Sequence, residues 1–375
     1  VSASAPWDVA VVGLGAMGSA AAHHLAARGL RVLGLDRQAP PHALGSSHGR
    51  TRIIREAYFE HPLYVPLVRR AYELWAALER ESGRSLLRIT GGLNLGRPDG
   101  VLVAGARRSA EEHGLPHDLL DAAEIRARYP ALQPEDGMVA LWEPRAGILD
   151  PEACVAAHLQ AAAANGASLR HDEPVLRWSA DGNGVTVVTA RGEHRARRVI
   201  LAAGPWIRSL LPDLHLPLTV ERQVQFWFSV RERPDAFAPE RCPVHLWELD
   251  GDRYFYGFPD LGHGVKLAMH HGGDVTDPDR VRRDVGDDEV AALRTLIRRY
   301  VPAADGPLRD ASVCLYTNTP DGHFWIDAHP THSRVLVASA CSGHGFKFAS
   351  AIGEILADLV TRGETAFDLA PFRAR

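Results

Sequence analysis

The sequence predicts a mixed α/β fold in two domains, one Rossmann-like and built on a parallel sheet, the other mainly an antiparallel sheet. Three observations predict it. Residues 8–36 carry a strand, a Gly13-x-Gly15-x-x-Gly18 turn, a helix, a second strand and a closing acid, Asp36. Residues 335–363 carry a second glycine-rich strand–turn–helix without that fingerprint. Between them run short aromatic-rich strands with period-two patterning, the mark of antiparallel sheet. At 375 residues, two domains or one large one are expected.

Composition narrows the class further. A chain that is 46% hydrophobic and 23% charged is an ordinary globular protein, which excludes disordered, collagenous and small disulfide-scaffold classes. With 42 basic against 46 acidic residues, net −4, nothing resembles a polybasic footprint, so neither nucleic acid nor a membrane surface is an expected partner. Only two of the 42 are lysines, Lys266 and Lys347. Cys154, Cys242, Cys314 and Cys341 form no CxxC pair and no metal-type spacing, so no metal is expected. Four cysteines in so long a chain point to a reduced, cytoplasmic compartment. No apolar run approaches the ~20 residues of a membrane span, and the N-terminal stretch reads as strand and turn instead of signal peptide.

Each element of the first unit has a physical task. Val9–Val12 reads as a buried parallel strand, Ala16–Ala27 as an alanine-rich helix stopped by Gly29, and Arg31–Leu35 as the second strand. Gly13 permits the tight turn, Gly15 lets backbone approach a pyrophosphate, and Gly18 lets helix and strand pack closely. Asp36 suits a ribose hydroxyl, which favours NAD or FAD over a 2′-phosphorylated cofactor. The alternative is a glycine-rich turn in a purely structural βαβ unit.

The rest of the chain favours FAD. Val185–Thr189, a turn at Arg191-Gly192 and the strand Val199–Ala203 form a hairpin feeding a central strand, which places Gly204 and Trp206 at a carboxyl strand end. Further on, Val335–Ala338 leads through Ser342-Gly343-His344-Gly345 into a helix ending at Gly363. Lys347 in its first turn opposes the dipole unless an anion binds there; otherwise it is a solvated lysine. Gly91–Leu95, Gln223–Val230 and Val244–Phe258 supply antiparallel strands. The arginines of residues 48–55 read either as a solvated face or as burial near an anion.

Four motifs behind the fingerprint, GSSHGRTRIIREAY, GVKLAMHH, VCLYTNTPDGHFWID and SGHGFKFAS, closely resemble the monomeric sarcosine oxidase and N-methyltryptophan oxidase family of flavin-dependent secondary-amine oxidases, over essentially the whole chain. The resemblance implies a two-domain FAD-binding fold. Residues 1–85, 149–212 and 305–375 would form a discontinuous FAD domain, and 86–148 and 213–304 the substrate domain. It implies that Cys314 carries FAD through a thioether to the 8α-methyl; the alternative is a small buried hydrophobe. Lys266 matches the lysine that promotes oxygen reduction, Arg52 an arginine beside the flavin, and Arg55 with Lys347 the clamp on a substrate carboxylate. His270 and Tyr316 match pocket residues, though His270 and His271 also read as ordinary partly buried histidines. Trp247 and Tyr256 are expected to border the substrate. Cofactor contacts are expected from Gly13, Gly15, Ala16, Met17, Gly18, Asp36, Arg37, Ser46, Thr51, Arg52, Gly204, Trp206, Gly343, His344, Gly345, Phe346 and Lys347. The chain departs from the family at Ser47-His48-Gly49-Arg50, where sarcosine oxidases have paired histidines and then an acid.

The expected activity is oxidation of sarcosine or another N-methyl amino acid to an imine that hydrolyses, with O2 reduced to H2O2, by a monomer. The alternatives are an oxidase of a cyclic or bulky amino acid (pipecolate, proline, N-methyltryptophan or a biosynthetic imine) and, from another class, a non-catalytic flavin-binding protein.

Overall fold

The computed structural model describes residues 5–214, 216–250, 253–339 and 342–373; Cys341 lies outside them. Strand Trp7–Val12 sits between two parallel partners, Val32–Leu35 and the long central strand Gly192–Leu201. That central strand serves two neighbours in turn. Its first half pairs antiparallel with Gly184–Thr189, and its last residues, Val199 to Leu201, pair parallel with His332–Ser339. Both faces of such strands are covered, which is why Val9, Ala10, Val11 and Leu33 are wholly buried. Helices Ala16–Ala27, Pro151–Ala164 and Ala349–Thr361 contribute to one large apolar core, with Tyr64–Ser82 adding Trp75 and Leu78.

A second eight-stranded sheet runs in the order Leu308–Asn318, Thr219–Phe228, Val265–His270, Arg253–Asp260, Val244–Leu249, Gly92–Gly96, Val139–Glu143, Asp118–Asp121. Its pairings are antiparallel except for Val244–Leu249 with Gly92–Gly96. Alternation sorts its side chains. Phe226, Leu267, Phe255 and Trp247 point into a core closed by Leu293, Ile297 and Tyr300 of helix Asp287–Tyr300. Gln225, Lys266, Tyr256 and Leu246, from the alternate positions, line the cavity on the other face.

Two sequence expectations need correction here. Leu308–Asn318 pairs along its length with Thr219–Phe228, so the boundary expected at residue 305 falls ahead of a strand that belongs to the second sheet. A third, three-stranded sheet of Arg52–Ile54, Gly147–Leu149 and Leu87–Ile89 carries Arg52 itself and lies across the boundaries expected at 85/86 and 148/149.

Candidate active site

A cavity of about 450 Å³ is lined by residues of both large sheets. It begins in the glycine turn. Gly13 has φ +88°, and a Cβ there would sit 2.5 Å from the Ala202 carbonyl oxygen; a Cβ on Gly18 would sit 1.7 Å from the Gly13 oxygen. Only glycine satisfies either position. Helix Ala16–Ala27 has no side-chain cap of its own at Gly15; instead Ala16 N–H donates to Ser47 Oγ at 3.1 Å. Ser47, one of the departures from the family pattern, thus caps this helix. Arg50, the other, pairs with Asp310 at 2.5 Å and lies over the Trp227 ring.

Asp36 accepts from Leu14 N–H at 2.6 Å and from Gln38 N–H at 3.0 Å. Arg37 lies 4.5 Å over the Trp206 ring, and both donate to Asp279. The cavity is further lined by Gly15, Ala16, Met17, Ser46, Thr51, Arg52, Gly204, Gly343, His344, Gly345, Phe346 and Lys347. Lys266, His270, Tyr316, Arg55 and Tyr256 line it too. Gly18 does not; it acts through packing. Cys314 is fully buried behind the lining, sharing a sheet face with Tyr316, and Arg52 Nη2 donates to its Sγ at 3.5 Å. Trp247, expected at the substrate, is a correction. It faces the opposite core, with its indole N–H donating to His245 Nδ1 at 2.8 Å and its ring 4.8 Å from that of Tyr300. In a strand that exposes Leu246 to the cavity, its successor must point away.

The cations are unusual in their surroundings. Lys266 is buried, donates to the Gly49 and Thr51 carbonyls at 2.8 and 3.0 Å, and lies near the rings of Trp227 and Phe258. Burial first, then Arg52, pushes its pKa well below that of a free lysine. Lys347 donates to the His344 carbonyl at 2.8 Å, and burial followed by Arg55 brings it down to about 7. Burial, with His271 next, also holds His270 neutral; its Nδ1 is 3.1 Å from Tyr316 Oη.

Sequence reasoning missed Glu60. It lines the cavity and holds Arg55 Nη2 with both oxygens, at 2.8 and 2.7 Å. Burial opposes ionisation of Glu60, but Arg55, His344 and Lys347 together keep its pKa low. Its five-residue spacing from Arg55 carries no motif, which is why it went unread.

A family model described as FAD dependent oxidoreductase matches residues 8–359. The chain belongs to this family. Among relatives of these FAD-dependent oxidoreductases, it is 47% identical to monomeric sarcosine oxidase of Streptomyces avermitilis, over 99% of this chain and 98% of that protein. It is 36% identical to N-methyl-L-tryptophan oxidase of Salmonella arizonae, over 98% of each chain. A solved structure of NikD, described as an unusual amino acid oxidase essential for nikkomycin biosynthesis, superposes with a TM-score of 0.87 at 27% identity, covering 99% of this chain and 98% of that one.

The residues present fit the FAD that the family binds. Thr51 Oγ1 and Gln225 Oε1 belong to cavity-lining residues, yet are buried without a hydrogen-bond partner. Orphaned polar atoms in such a cavity are suited to a polar ligand edge. The N-terminus of helix Ala16–Ala27 and the Asp36 carboxylate, both on the cavity, suit its pyrophosphate and ribose. Among the described residues no helix is long and apolar enough to cross a membrane.

Proposed function

We propose that this FAD-dependent oxidoreductase is an oxidase acting on the CH–NH bond of N-methyl amino acids, with sarcosine the first candidate. The observation that carries it is the pair Arg55 and Lys347 lining one cavity with Tyr256, His270 and Tyr316. The names of the full-length relatives support the same reading.

A substrate carboxylate would be held by the planar guanidinium of Arg55 and the compact ammonium of Lys347. For Arg55 this means exchanging Glu60 for the substrate, since Glu60 occupies its Nη2. The amine must shed its proton before oxidation, and several cations around one cavity favour its neutral form. Neutral His270, with Tyr316 and Tyr256, offers uncharged polar contacts that do not reverse this effect. When bound, FAD supplies the two-electron acceptor. The imine product then adds water and separates; for sarcosine this gives glycine and formaldehyde. The two electrons and two protons pass to O2, giving H2O2, and Lys266 is the buried cation placed to favour anionic oxygen species. We assign to Cys314 a thioether to the flavin, supported by its burial beside cavity-lining Arg52 and Ser46.

A larger N-methyl amino acid is the second reading, favoured by the 36% identity to N-methyl-L-tryptophan oxidase. Anaerobic bleaching of the flavin by sarcosine, N-methyl-L-tryptophan and pipecolate, followed by a peroxide assay in air, tests both. Fastest bleaching by sarcosine supports the first reading. Bleaching by none overturns both.

A further inference from the structure

Arg55 and Lys347 come from segments nearly 300 residues apart, yet they meet on one side chain that does not line the cavity. The Arg55 guanidinium lies 4.2 Å from the centroid of the Tyr58 ring, and the Lys347 ammonium lies 5.2 Å from the same centroid. Tyr58 is wholly buried, wedged against Tyr64 and Phe348. Its backbone is fixed as well, its carbonyl accepting from Ser109 Oγ at 2.5 Å.

The hydroxyl extends this connection. His344 Nε2 lies 2.9 Å from the Gly322 carbonyl, which can only accept, so Nε2 carries the hydrogen and Nδ1 is bare. Tyr58 O–H, 2.5 Å away, therefore donates to Nδ1. That leaves its oxygen lone pairs for Lys347, whose Nζ donates to it at 3.3 Å. The proton order is thus set from Lys347 through Tyr58 to His344 and on to Gly322.

We propose that Tyr58 is a positioning residue for the carboxylate clamp: its ring spaces Arg55 and Lys347, and its hydroxyl, oriented by His344, holds the Lys347 ammonium in its charged form. The ring attracts the Arg55 guanidinium and the hydroxyl takes the Lys347 ammonium, so one side chain holds two mutually repelling charges at separate points. Glu60 offsets part of this charge, bonded to Arg55 and acting on Lys347 through space. The groups facing Lys347 are Arg55, Glu60, Arg52, Tyr58, His344 and His270. The Lys347 ammonium donates to two oxygens, the Tyr58 hydroxyl and the His344 carbonyl, so Tyr58 supplies the side-chain contact.

This inference rests on the carboxylate clamp proposed above, so acetate, which has a carboxylate and no amine, serves as the probe. Its binding to the flavin-loaded enzyme is measured by calorimetry across pH 5.5–9. Tyr58→Phe keeps the ring and removes the hydroxyl; it is expected to weaken acetate binding about tenfold. It should also move the pH at which binding falls off to a lower value, because the ammonium loses an acceptor. Tyr58→Leu, lacking the ring too, should bind more weakly still. Unchanged affinity and unchanged pH midpoint in Tyr58→Phe overturn the proposal. So does weaker binding with an unmoved midpoint, the signature of a merely structural defect. If Tyr58→Phe does not take up flavin, His344→Gln, which keeps an acceptor for Tyr58, should bind acetate more tightly than His344→Leu, which does not; equal binding by the two overturns the proposal. Acetate binding that depends on Tyr58, in an enzyme whose flavin no amine bleaches, would sink the amine-oxidase reading and leave the clamp intact.

Discussion

Glu60 grips the Nη2 of Arg55 with both carboxylate oxygens, so the cation expected to hold a substrate is held by the protein itself. A substrate carboxylate has to compete with Glu60 and also suffers its repulsion. Glu60→Gln should therefore lower KM for sarcosine on the order of tenfold, equivalent to about 1.4 kcal/mol. Steady-state kinetics at neutral pH checks this, and a raised KM would mean that Glu60 aligns Arg55 instead of restraining it.

The role proposed for Lys266 is separate from that of the clamp. Its Nζ is anchored on the Gly49 and Thr51 carbonyls and, among the described residues, faces no carboxylate at hydrogen-bond distance. Lys266→Met should leave anaerobic flavin reduction by amine within a few-fold of the parent. Reoxidation by O2 should slow by about 100-fold, the scale of losing one preorganised charge. Stopped-flow measurement of the two half-reactions decides; slow reduction with normal reoxidation would reverse the assignment.

The depressed pKa of Lys347 makes a stability prediction with a definite sign. Burial and Arg55 bring it from an ordinary 10.5 to about 7 in the folded protein. Between those values the unfolded chain binds the extra proton, so this residue makes stability rise with pH across that window. Removing this charge also removes its desolvation cost and its repulsion from Arg55 and Arg52. Lys347→Met should thus melt at least as high as the substrate-free parent at pH 6, and the gap should shrink toward pH 10. A gap that widens would contradict the lowered pKa.

Acid precipitation tests Cys314. With a thioether, the yellow colour stays with the protein pellet, and Cys314→Ala releases it to the supernatant. The same variant should still bind flavin reversibly, because the glycine turn and Asp36 are untouched.

Trp247 separates packing from substrate contact. Trp247→Phe loses the hydrogen bond to His245 and some of the contact with Tyr300, so a stability loss of about 1–3 kcal/mol is expected. KM should not move. A change in KM without a change in melting temperature would restore the tryptophan to the substrate side.

The residues that were legible in the sequence are those whose task fixes local backbone. Gly13, Gly18 and Asp36 are constrained by turn geometry and by a strand end, so the parallel unit could be read directly. Lys266 and Lys347 stood out because the chain uses arginine almost everywhere else. What escaped depended on pairing across long separations. Whether Trp247 or Leu246 faces the cavity is decided by register against Arg253–Asp260, and aromatic character alone does not set that phase. Tyr58 and Glu60 sit in an irregular segment after strand Arg52–Ile54, where no periodicity announces a role. The boundary expected at residue 305 missed strand Leu308–Asn318, whose partner lies some 90 residues upstream, in the second sheet.

Residues 343–347 are the last in the chain to join the cavity lining, and the parallel sheet gains strand His332–Ser339 just before them. During synthesis the glycine turn leaves the ribosome first, with nothing opposite it. The site is therefore complete only once the carboxyl-terminal stretch has emerged, however well the early strands have folded.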